Sequence, residues 1–217
     1  MNPIVLDIES SGLDKTRCGI WQIAAIDLNT MEEFIEESRI DDKDIVEEGA
    51  LKVIGKTEED LRNPSKRSQK ELLELFFNWM ANREVRNVLC QNPQFDVSFI
   101  EIKAKEYGLK KTLQHRSFDL HSISQTIFFE KNGKFHFKVN KEKQKFESDM
   151  DLGNILEFCG IEDKRIRVYS GEETKAGEPH NALEDCKLTG ECFSRLLFGK
   201  NIFDKFSEFE IPEVLKR

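Results

Sequence analysis

Residues 4–13 have the sequence Ile4-Val5-Leu6-Asp7-Ile8-Glu9-Ser10-Ser11-Gly12-Leu13. The apolar residues predict a buried strand that opens the domain, and the glycine marks the turn after it. Side chains two apart on a strand face the same way, so Asp7 and Glu9 project together. Two such carboxylates raise each other's pKa unless a cation lies between them, and Mg²⁺ prefers oxygen ligands. The alternative is a pair of solvated acids at a strand end.

The remaining apolar patterns predict an α/β domain with a mixed sheet. Residues 20–28 and 34–40 predict two further strands, which would form a meander with the first. Residues 44–62 have the pattern of short helices, and Ser68 with Glu71 resembles a capping box that starts another helix. We also expect a strand at 85–89, helices at 96–107, 152–159 and after Pro179, a helix followed by a hairpin or flap within 116–147, and a polar loop at 170–179.

Two further segments carry groups that suit phosphate chemistry. Asn92-Pro93-Gln94-Phe95-Asp96 follows an apolar strand and begins a helix, which is where phosphate and metal sites commonly form. The helix N-terminus alone would also favour an acid at Asp96. His180 precedes the last helix and lies five residues before Asp185. A histidine has a pKa near operating pH, which suits a general base, although a lone histidine in a loop is more often only solvated.

Together these segments resemble the DEDDh exonuclease family. The D-x-E of the first family motif is present as Asp7 and Glu9, and the N-x-x-F-D of the second ends at Asp96. The H-x-x-x-x-D of the third is present as His180 and Asp185, in the family's order. The position of the histidine indicates the histidine branch of the family rather than the tyrosine branch.

The resemblance extends beyond the motifs and covers about residues 3–198. There are two departures. Gln91 stands where relatives often have histidine, and 128–148 looks like an insertion or flap that has no place in the family pattern. The segments that support the likeness outside the motifs are 20–25, 50–55 and 152–156.

The resemblance implies a ribonuclease H-like fold, a central mixed sheet flanked by helices. It implies a 3′–5′ exonuclease that releases nucleoside 5′-monophosphates from single-stranded DNA or RNA with two divalent cations, Mg²⁺ or Mn²⁺. His180 would be the general base. The implied metal ligands are Asp7, Glu9, Asp96 and Asp185, and the implied substrate-binding residues are Ser10, Gly12, Leu13 and Asn92. For Leu13, a contact in the core is the alternative.

Bulk properties exclude several classes of protein. The 217 residues carry a net charge of −8, which argues against a protein that coats nucleic acid by charge alone. Five cysteines without a C-x-x-C pair predict neither a disulfide framework nor a zinc site. The N-terminus lacks the pattern of a signal peptide, and no apolar run has the length of a membrane span. We therefore expect a cytoplasmic protein with no membrane partner.

Several features outside the motifs leave alternatives open. Residues 131–145 hold six lysines against Glu142, which predicts either a solvated surface or a grip on a nucleic-acid strand. We expect an exonuclease domain at 1–198 and a tail at 199–217, whose apolar stripe either packs back on the domain or binds a partner. A homodimer is undecided. The alternative to an active enzyme is an inactive nucleic-acid-binding or interaction module on the same fold. The stripe consists of Ile202, Phe203, Phe206 and Phe209.

Overall fold

A computed structural model of the chain describes residues 2–140, 144–169 and 172–217. The chain divides into two compact units. The first contains Met1–Phe118 and Lys164–Cys186, and the second contains Asp119–Asp163 and Lys187–Arg217. Among the described residues, no helix is both long enough and apolar enough to cross a membrane.

A mixed five-stranded sheet is the framework of the fold. Its strands are β1 (Ile4–Ser10), β2 (Ile20–Asp27), β3 (Glu32–Glu37), β4 (Val88–Cys90) and β5 (Phe118–Asp119), in the order β3-β2-β1-β4-β5. The first three strands are antiparallel neighbours, whereas β4 runs parallel to β1. The predicted meander and mixed sheet are therefore confirmed. β1 is central and buried, which places the acids of its D-x-E motif inside the molecule.

Seven α-helices accompany the strands in the described part of the chain. Both α2 and α3 begin with a capping box, formed by Thr57 with Asp60 and by Ser68 with Glu71, and the second of these confirms the sequence prediction. The helices are α1 (Glu48–Ile54), α2 (Glu58–Leu61), α3 (Gln69–Ala81), α4 (Pro93–Glu106), α5 (Leu120–Asn132), α6 (Leu152–Phe158) and α7 (Ala182–Phe198).

Some boundaries differ from those the sequence predicts. The third strand begins at Glu32, and helix α4 begins at Pro93, so Asp96 is the fourth residue of that helix rather than the first. Proline lacks a backbone N–H and has a fixed φ, so it fits the first helical position, where no donor is needed. Helix α7 begins at Ala182, which places Asp185 in its first turn rather than its second.

The core of the first unit lies between the sheet and helices α3 and α4. Leu72 and Phe76 of α3 are fully buried there, as their spacing predicts, and Phe99 of α4 joins them. Leu75 has the same helical spacing but is 41% exposed, whereas Leu73, Phe77 and Met80 are buried. The buried face of α3 therefore includes Leu73 and excludes Leu75.

The second unit contains the predicted helix and hairpin. Helix α5 ends at Gly133, whose left-handed φ of 70° makes Asn132-Gly133 a helix C-cap and not the turn of the hairpin. The hairpin strands are β6 (Phe137–Asn140) and β7 (Lys145–Ser148), and residues 141–143 between them lie outside the described residues. Phe137 and Phe146 are exposed on this hairpin.

The predicted polar loop at 170–179 is in part a strand. Its residues 172–175 form strand β9 (Glu172–Lys175), which pairs antiparallel with β8 (Arg167–Tyr169). The loop's residues 170–171 lie outside the described residues. These strands are short and highly charged, so they lack the apolar alternation by which strands are predicted.

The C-terminal segment packs against helix α7 within the second unit. Glu191 and Arg195 of α7 form an ion pair of 2.9 Å, and both side chains are fully buried. Glu191 accepts from the backbone amides of Ile202 and Phe203, and Arg195 donates to the carbonyl oxygens of Phe206 and Phe209. The apolar stripe is thus held by buried charges, and Phe206 is itself buried.

Candidate active site

The nine predicted site residues line one cleft of about 650 Å³ in the first unit. The cleft lies at the end of β1 and is bordered by α1, the start of α4 and the segment that leads into α7. It is the place where all three sequence motifs meet. The nine are Asp7, Glu9, Ser10, Gly12, Leu13, Asn92, Asp96, His180 and Asp185.

Three elements supply the four acids. Asp7 and Glu9 lie two apart on β1 and so share a face, while Ile8 between them is part of the core. Asp96 and Asp185 are buried in the first turns of α4 and α7. Helix N-termini favour carboxylates, which helps to explain how two acids can be buried there.

The start of α7 is tied to the sheet and to α1. The amide of Ala182 donates to Gln22 Oε1 on β2 at 2.9 Å, and the amide of His180 donates to the carbonyl oxygen of Val53 at 2.9 Å. His180 Nε2 lies 2.9 Å from the carbonyl oxygen of Ile166. A carbonyl can only accept, so Nε2 carries the hydrogen, and Nδ1 points to Asp185 Oδ2 at 3.4 Å.

The four acids form one electrostatic cluster. Burial raises the pKa of Asp7 well above its ordinary value, and the charges of Asp96, Asp185 and Glu9 raise it further. Burial and Asp185 likewise raise the pKa of Glu9. Burial raises the pKa of Asp96 to about 7, although hydrogen bonds from backbone amides favour its charged form. Burial and mutual repulsion therefore disfavour the ionised forms of Asp7, Glu9 and Asp96.

The donor set fits a divalent cation. Oε1 of Glu9 is buried and has no hydrogen-bond partner within the described part of the chain, which is costly for a carboxylate oxygen unless a cation or water meets it. One ligand atom from each of Glu9, His180 and Asp185 lies within 4.8 Å of the other two. Carboxylate oxygens are the ligands that Mg²⁺ and Mn²⁺ prefer, whereas metals that favour thiolate ligands would find none among these three residues.

The turn after β1 is held in one shape by short contacts. Ser10 Oγ donates to the carbonyl oxygen of Gly12 at 2.7 Å, and the buried Ser11 donates to that of Ile45 at 2.7 Å. A Cβ on Gly12 would lie 2.5 Å from the carboxylate carbon of Glu47 and 2.6 Å from the sulfur of Cys18, so any larger residue would have to displace these side chains. Leu13, next to it, is 75% exposed and faces the cleft. That exposure excludes the alternative of a core contact for Leu13.

At the start of α4, Asn92 is the N-cap residue, yet its side chain makes no capping hydrogen bond. Asn92 lines the cleft. Phe95 also lines the cleft, and its ring packs edge-on against Phe99 at 5.5 Å, so it is partly a core residue.

Two residues of the site escape the sequence motifs. Arg165 donates from Nη1 to Asp185 Oδ1 at 3.1 Å and is only 8% exposed. Glu47 accepts from the amide of Leu13 at 3.1 Å and lines the cleft. Glu47 falls in the acidic stretch 32–48, where a solvated surface is the natural expectation, and Arg165 has no periodic or motif signal around it.

Comparison with known proteins shows the family of the chain. The exonuclease family model named for RNase T matches residues 4–193. The chain belongs to that exonuclease family. No curated protein sequence matches the chain. The resemblance to DEDDh exonucleases and the ribonuclease H-like mixed sheet are both confirmed.

Three solved exonuclease-like structures show the same fold. The chain is similar to cell-death related nuclease 4 (TM-score 0.63, 13% identity, covering 92% of this chain and 64% of that one). It is similar to the nuclease domain of 3′hExo, a DEDDh family member bound to rAMP (0.59, 16%, 97% and 95%). It is also similar to E. coli exonuclease I in complex with a dT13 oligonucleotide (0.61, 17%, 92% and 42%). The chain thus spans less than half of exonuclease I.

Proposed function

We propose that this family member is a metal-dependent 3′–5′ exonuclease that releases nucleoside 5′-monophosphates from single-stranded DNA or RNA. The observation that carries the proposal is the meeting of three buried acids, the half-buried Asp7 and His180 in one cleft, where Glu9 Oε1 has no hydrogen-bond partner among the residues the structure describes. Structures of two similar proteins, bound to dT13 and to rAMP, support a nucleic-acid substrate.

Asp7, Glu9, Asp96 and Asp185 would hold two divalent cations, Mg²⁺ or Mn²⁺. Bound cations of this kind lower the pKa of water and neutralise the charge that develops on the scissile phosphate. A cluster of acids with raised pKa values is expected where cations are its normal partners, since cations restore the ionised state.

His180 is assigned as the general base. Its Nε2–H is engaged by the carbonyl oxygen of Ile166, which leaves Nδ1 as the nitrogen able to accept a proton. Nδ1 faces Asp185 across 3.4 Å, so the accepting nitrogen lies beside the acid cluster where the attacking water is placed. The Ile166 carbonyl thereby fixes which ring nitrogen acts.

The turn at 10–13 is assigned to the terminal nucleotide. Gly12 lets the backbone approach a ligand closely, and the exposed Leu13 offers an apolar face to a base. Asn92 would hydrogen-bond the same nucleotide from the other side of the cleft. DNA and RNA differ at the 2′-hydroxyl, so the choice between them depends on groups in this part of the cleft.

The test is degradation of 5′-labelled single strands of DNA and RNA, with Mg²⁺ or Mn²⁺ and with chelator. We expect a ladder that shortens from the 3′ end and disappears with chelator. Asp7→Asn should lower the rate about a thousandfold, because metal-assisted charge stabilisation is worth several kcal/mol. Asp42→Asn, which removes an exposed acid, is the matched control and should be as active as the unaltered protein.

Binding of labelled strands without any degradation, under either metal, would reject the proposal. It would favour the alternative of an inactive nucleic-acid-binding module on the same fold.

A further inference from the structure

A cation belonging to the chain itself lies inside the acid cluster. The guanidinium of Arg165 donates from Nη1 to Asp185 Oδ1, and both side chains are more than nine-tenths buried. Its charge lowers the pKa of Asp7 and of Glu9, opposing the effect of burial on both. Arginine stays protonated in any protein environment, so this charge is permanent.

The backbone of Arg165 is fixed, although its side chain is long. The residue forms a parallel bridge with Glu178, in which Ile166 N donates to Glu178 O at 2.9 Å and Glu178 N donates to Lys164 O at 2.8 Å. Gly177 lies so close to the backbone of Arg165 that a Cβ would be 2.6 Å from the Arg165 carbonyl carbon. Any movement of the guanidinium must therefore come from rotation about the side-chain bonds of Arg165.

The guanidinium of Arg165 contacts Asp185, which is one of the carboxylates proposed to hold a cation. One carboxylate oxygen of Asp185 faces Arg165 and the other faces His180, so the two oxygens already have neighbours. A divalent ion on Asp185 would lie within a few ångströms of the guanidinium, in a buried site where like charges repel strongly. The two cations therefore compete for the same carboxylate.

We propose that Arg165 is a positioning residue that holds Asp185 when the cluster lacks divalent cations and is displaced from it when they bind. The proposal rests on the proposed function, from which it takes the cation site. Ile166, the next residue, holds His180 through its carbonyl oxygen. The exchange at Asp185 therefore takes place beside the group that orients the imidazole.

This arrangement gives the acids two stable states. Without divalent cations, the guanidinium balances part of the negative charge and keeps Asp185 aimed into the cleft. When divalent cations bind, the arginine is released. The loss of its contact with Asp185 then makes the free energy of cation binding less favourable. Arg165 thus lowers cation affinity while it preserves the geometry of the empty cluster.

Calorimetric titration of Mn²⁺ into the full chain tests the proposal. Removal of a competing charge should tighten binding, so Arg165→Met is expected to bind Mn²⁺ at least about fivefold more tightly, the lower end of typical coupling between sites. The same variant should melt at a lower temperature in chelator and gain more stability from Mn²⁺. Arg165→Lys, which keeps the charge, should return the affinity to within about twofold of the original.

Arg167→Met is the matched control, because it removes the same charge two residues along the same segment. Its Mn²⁺ affinity should be unchanged. A purely structural Arg165 would lower the melting temperature equally with and without Mn²⁺ and leave the affinity unaltered, and that result would overturn the proposal. If the unaltered protein binds no Mn²⁺, the proposed function fails together with the displacement, whereas binding that Arg165→Met leaves unchanged counts against Arg165 alone.

A second measurement does not depend on a variant that folds poorly. The side-chain ¹⁵N signals of Arg165 in the unaltered protein, identified by their loss in Arg165→Lys, should shift between chelator and saturating Mg²⁺. An unmoved guanidinium signal under saturating Mg²⁺ would mean that Arg165 is not displaced.

Discussion

Leu13 is an exposed leucine beside the acid cluster, and its exposure separates function from stability. A side chain that is 75% exposed contributes little to the free energy of unfolding, so Leu13→Ala should change stability by no more than about 0.5 kcal/mol. Loss of an apolar contact with a base should raise KM severalfold, since burying a leucine is worth roughly 2 kcal/mol. Steady-state kinetics on a short strand and chemical denaturation measure the two effects.

Leu75→Ala is the control for that prediction. Leu75 is exposed on α3 and does not line the cleft, so its removal should leave both KM and stability unaltered. Equal KM values for the two variants would argue against a role of Leu13 in binding the terminal nucleotide.

Asp96 predicts an unusual pH dependence of stability in the absence of cations. Its pKa is raised from 3.8 to about 7, so the folded protein binds more protons than the unfolded chain between these values. The free energy of unfolding should therefore fall as pH rises through this window, by up to ~4 kcal/mol from this group. Asp7 and Glu9, whose pKa values are also raised, act in the same direction.

Denaturant unfolding in chelator across this pH range measures the slope. Asp96→Asn should flatten it, because the amide does not titrate, whereas the exposed Asp42→Asn should keep it. Added Mg²⁺ should reduce the loss of stability near pH 7, since cations bind the ionised carboxylates. Equal slopes for the unaltered protein and for Asp96→Asn between pH 4 and 7 in chelator would contradict the assigned shift.

At the scale of helices and strands, apolar patterns predict the elements whose buried faces pack in the core. β1, β2 and α3 have strong periodic patterns, and each forms where its pattern indicates. β8 and β9 could not be predicted in this way, because they form a hairpin of only three and four residues in which apolar residues do not alternate with polar ones. The start of α4 was misplaced because the special fit of Pro93 at a first helical position outweighs the pattern of the residues after it.

The C-terminal segment should be indispensable to the stability of the second unit. Truncation after Gly199 removes the backbone groups that satisfy Glu191 and Arg195, and it leaves two fully buried charges with fewer partners. We expect a loss of about 3 kcal/mol or more, the usual cost of breaking such a network. Removal of only Lys216 and Arg217 is the control and should cost little. A truncated chain that is monomeric and equally stable to denaturant would instead favour a partner-binding role for the tail.

At the scale of the whole molecule, the sequence motifs predict the acids of the site better than they predict the residues that surround those acids. The acids of the three motifs could be predicted because each lies on a regular element or in its first turn, and those elements meet at the end of β1. Arg165 and Glu47 could not, since their roles depend on contacts with residues 20 and 34 positions away and a charged side chain in a loop is usually solvated. For the same reason, the sequence does not decide whether the tail at 199–217 packs back on the domain or binds a partner.

The lysines of 131–145 remain a prediction about strand binding. Lys131 and Lys138 pair with Glu130 and Asp149, whereas Lys134 and Lys145 are exposed and have no ion pair with any residue the structure describes. Changing the latter two to alanine should reduce the salt dependence of binding to long single strands, by about 0.7 in the log–log slope per lysine. Binding is measured by fluorescence anisotropy in chelator, so that the strand stays intact.

The corresponding control uses two lysines of surface helix pairs. Lys52 and Lys70 form ion pairs with Glu48 and Glu74 on α1 and α3, so replacing both by alanine should leave the salt slope unaltered. If the variant that lacks Lys134 and Lys145 keeps the single-strand affinity and the salt slope of the unaltered protein, the lysine-rich segment is a solvated surface.

All five cysteines are free thiols shielded from solvent. Burial raises the pKa of Cys18, Cys186 and Cys192, which suppresses the reactive thiolate still further. A thiol-reactive fluorescent dye should therefore not label the native molecule, and it should react with a cysteine only when the segment that covers that cysteine opens. Because Cys186 adjoins Asp185 and Cys192 lies one turn before Arg195, the rate at which each becomes labelled would time the opening of the cleft and of the tail separately, without any engineered probe.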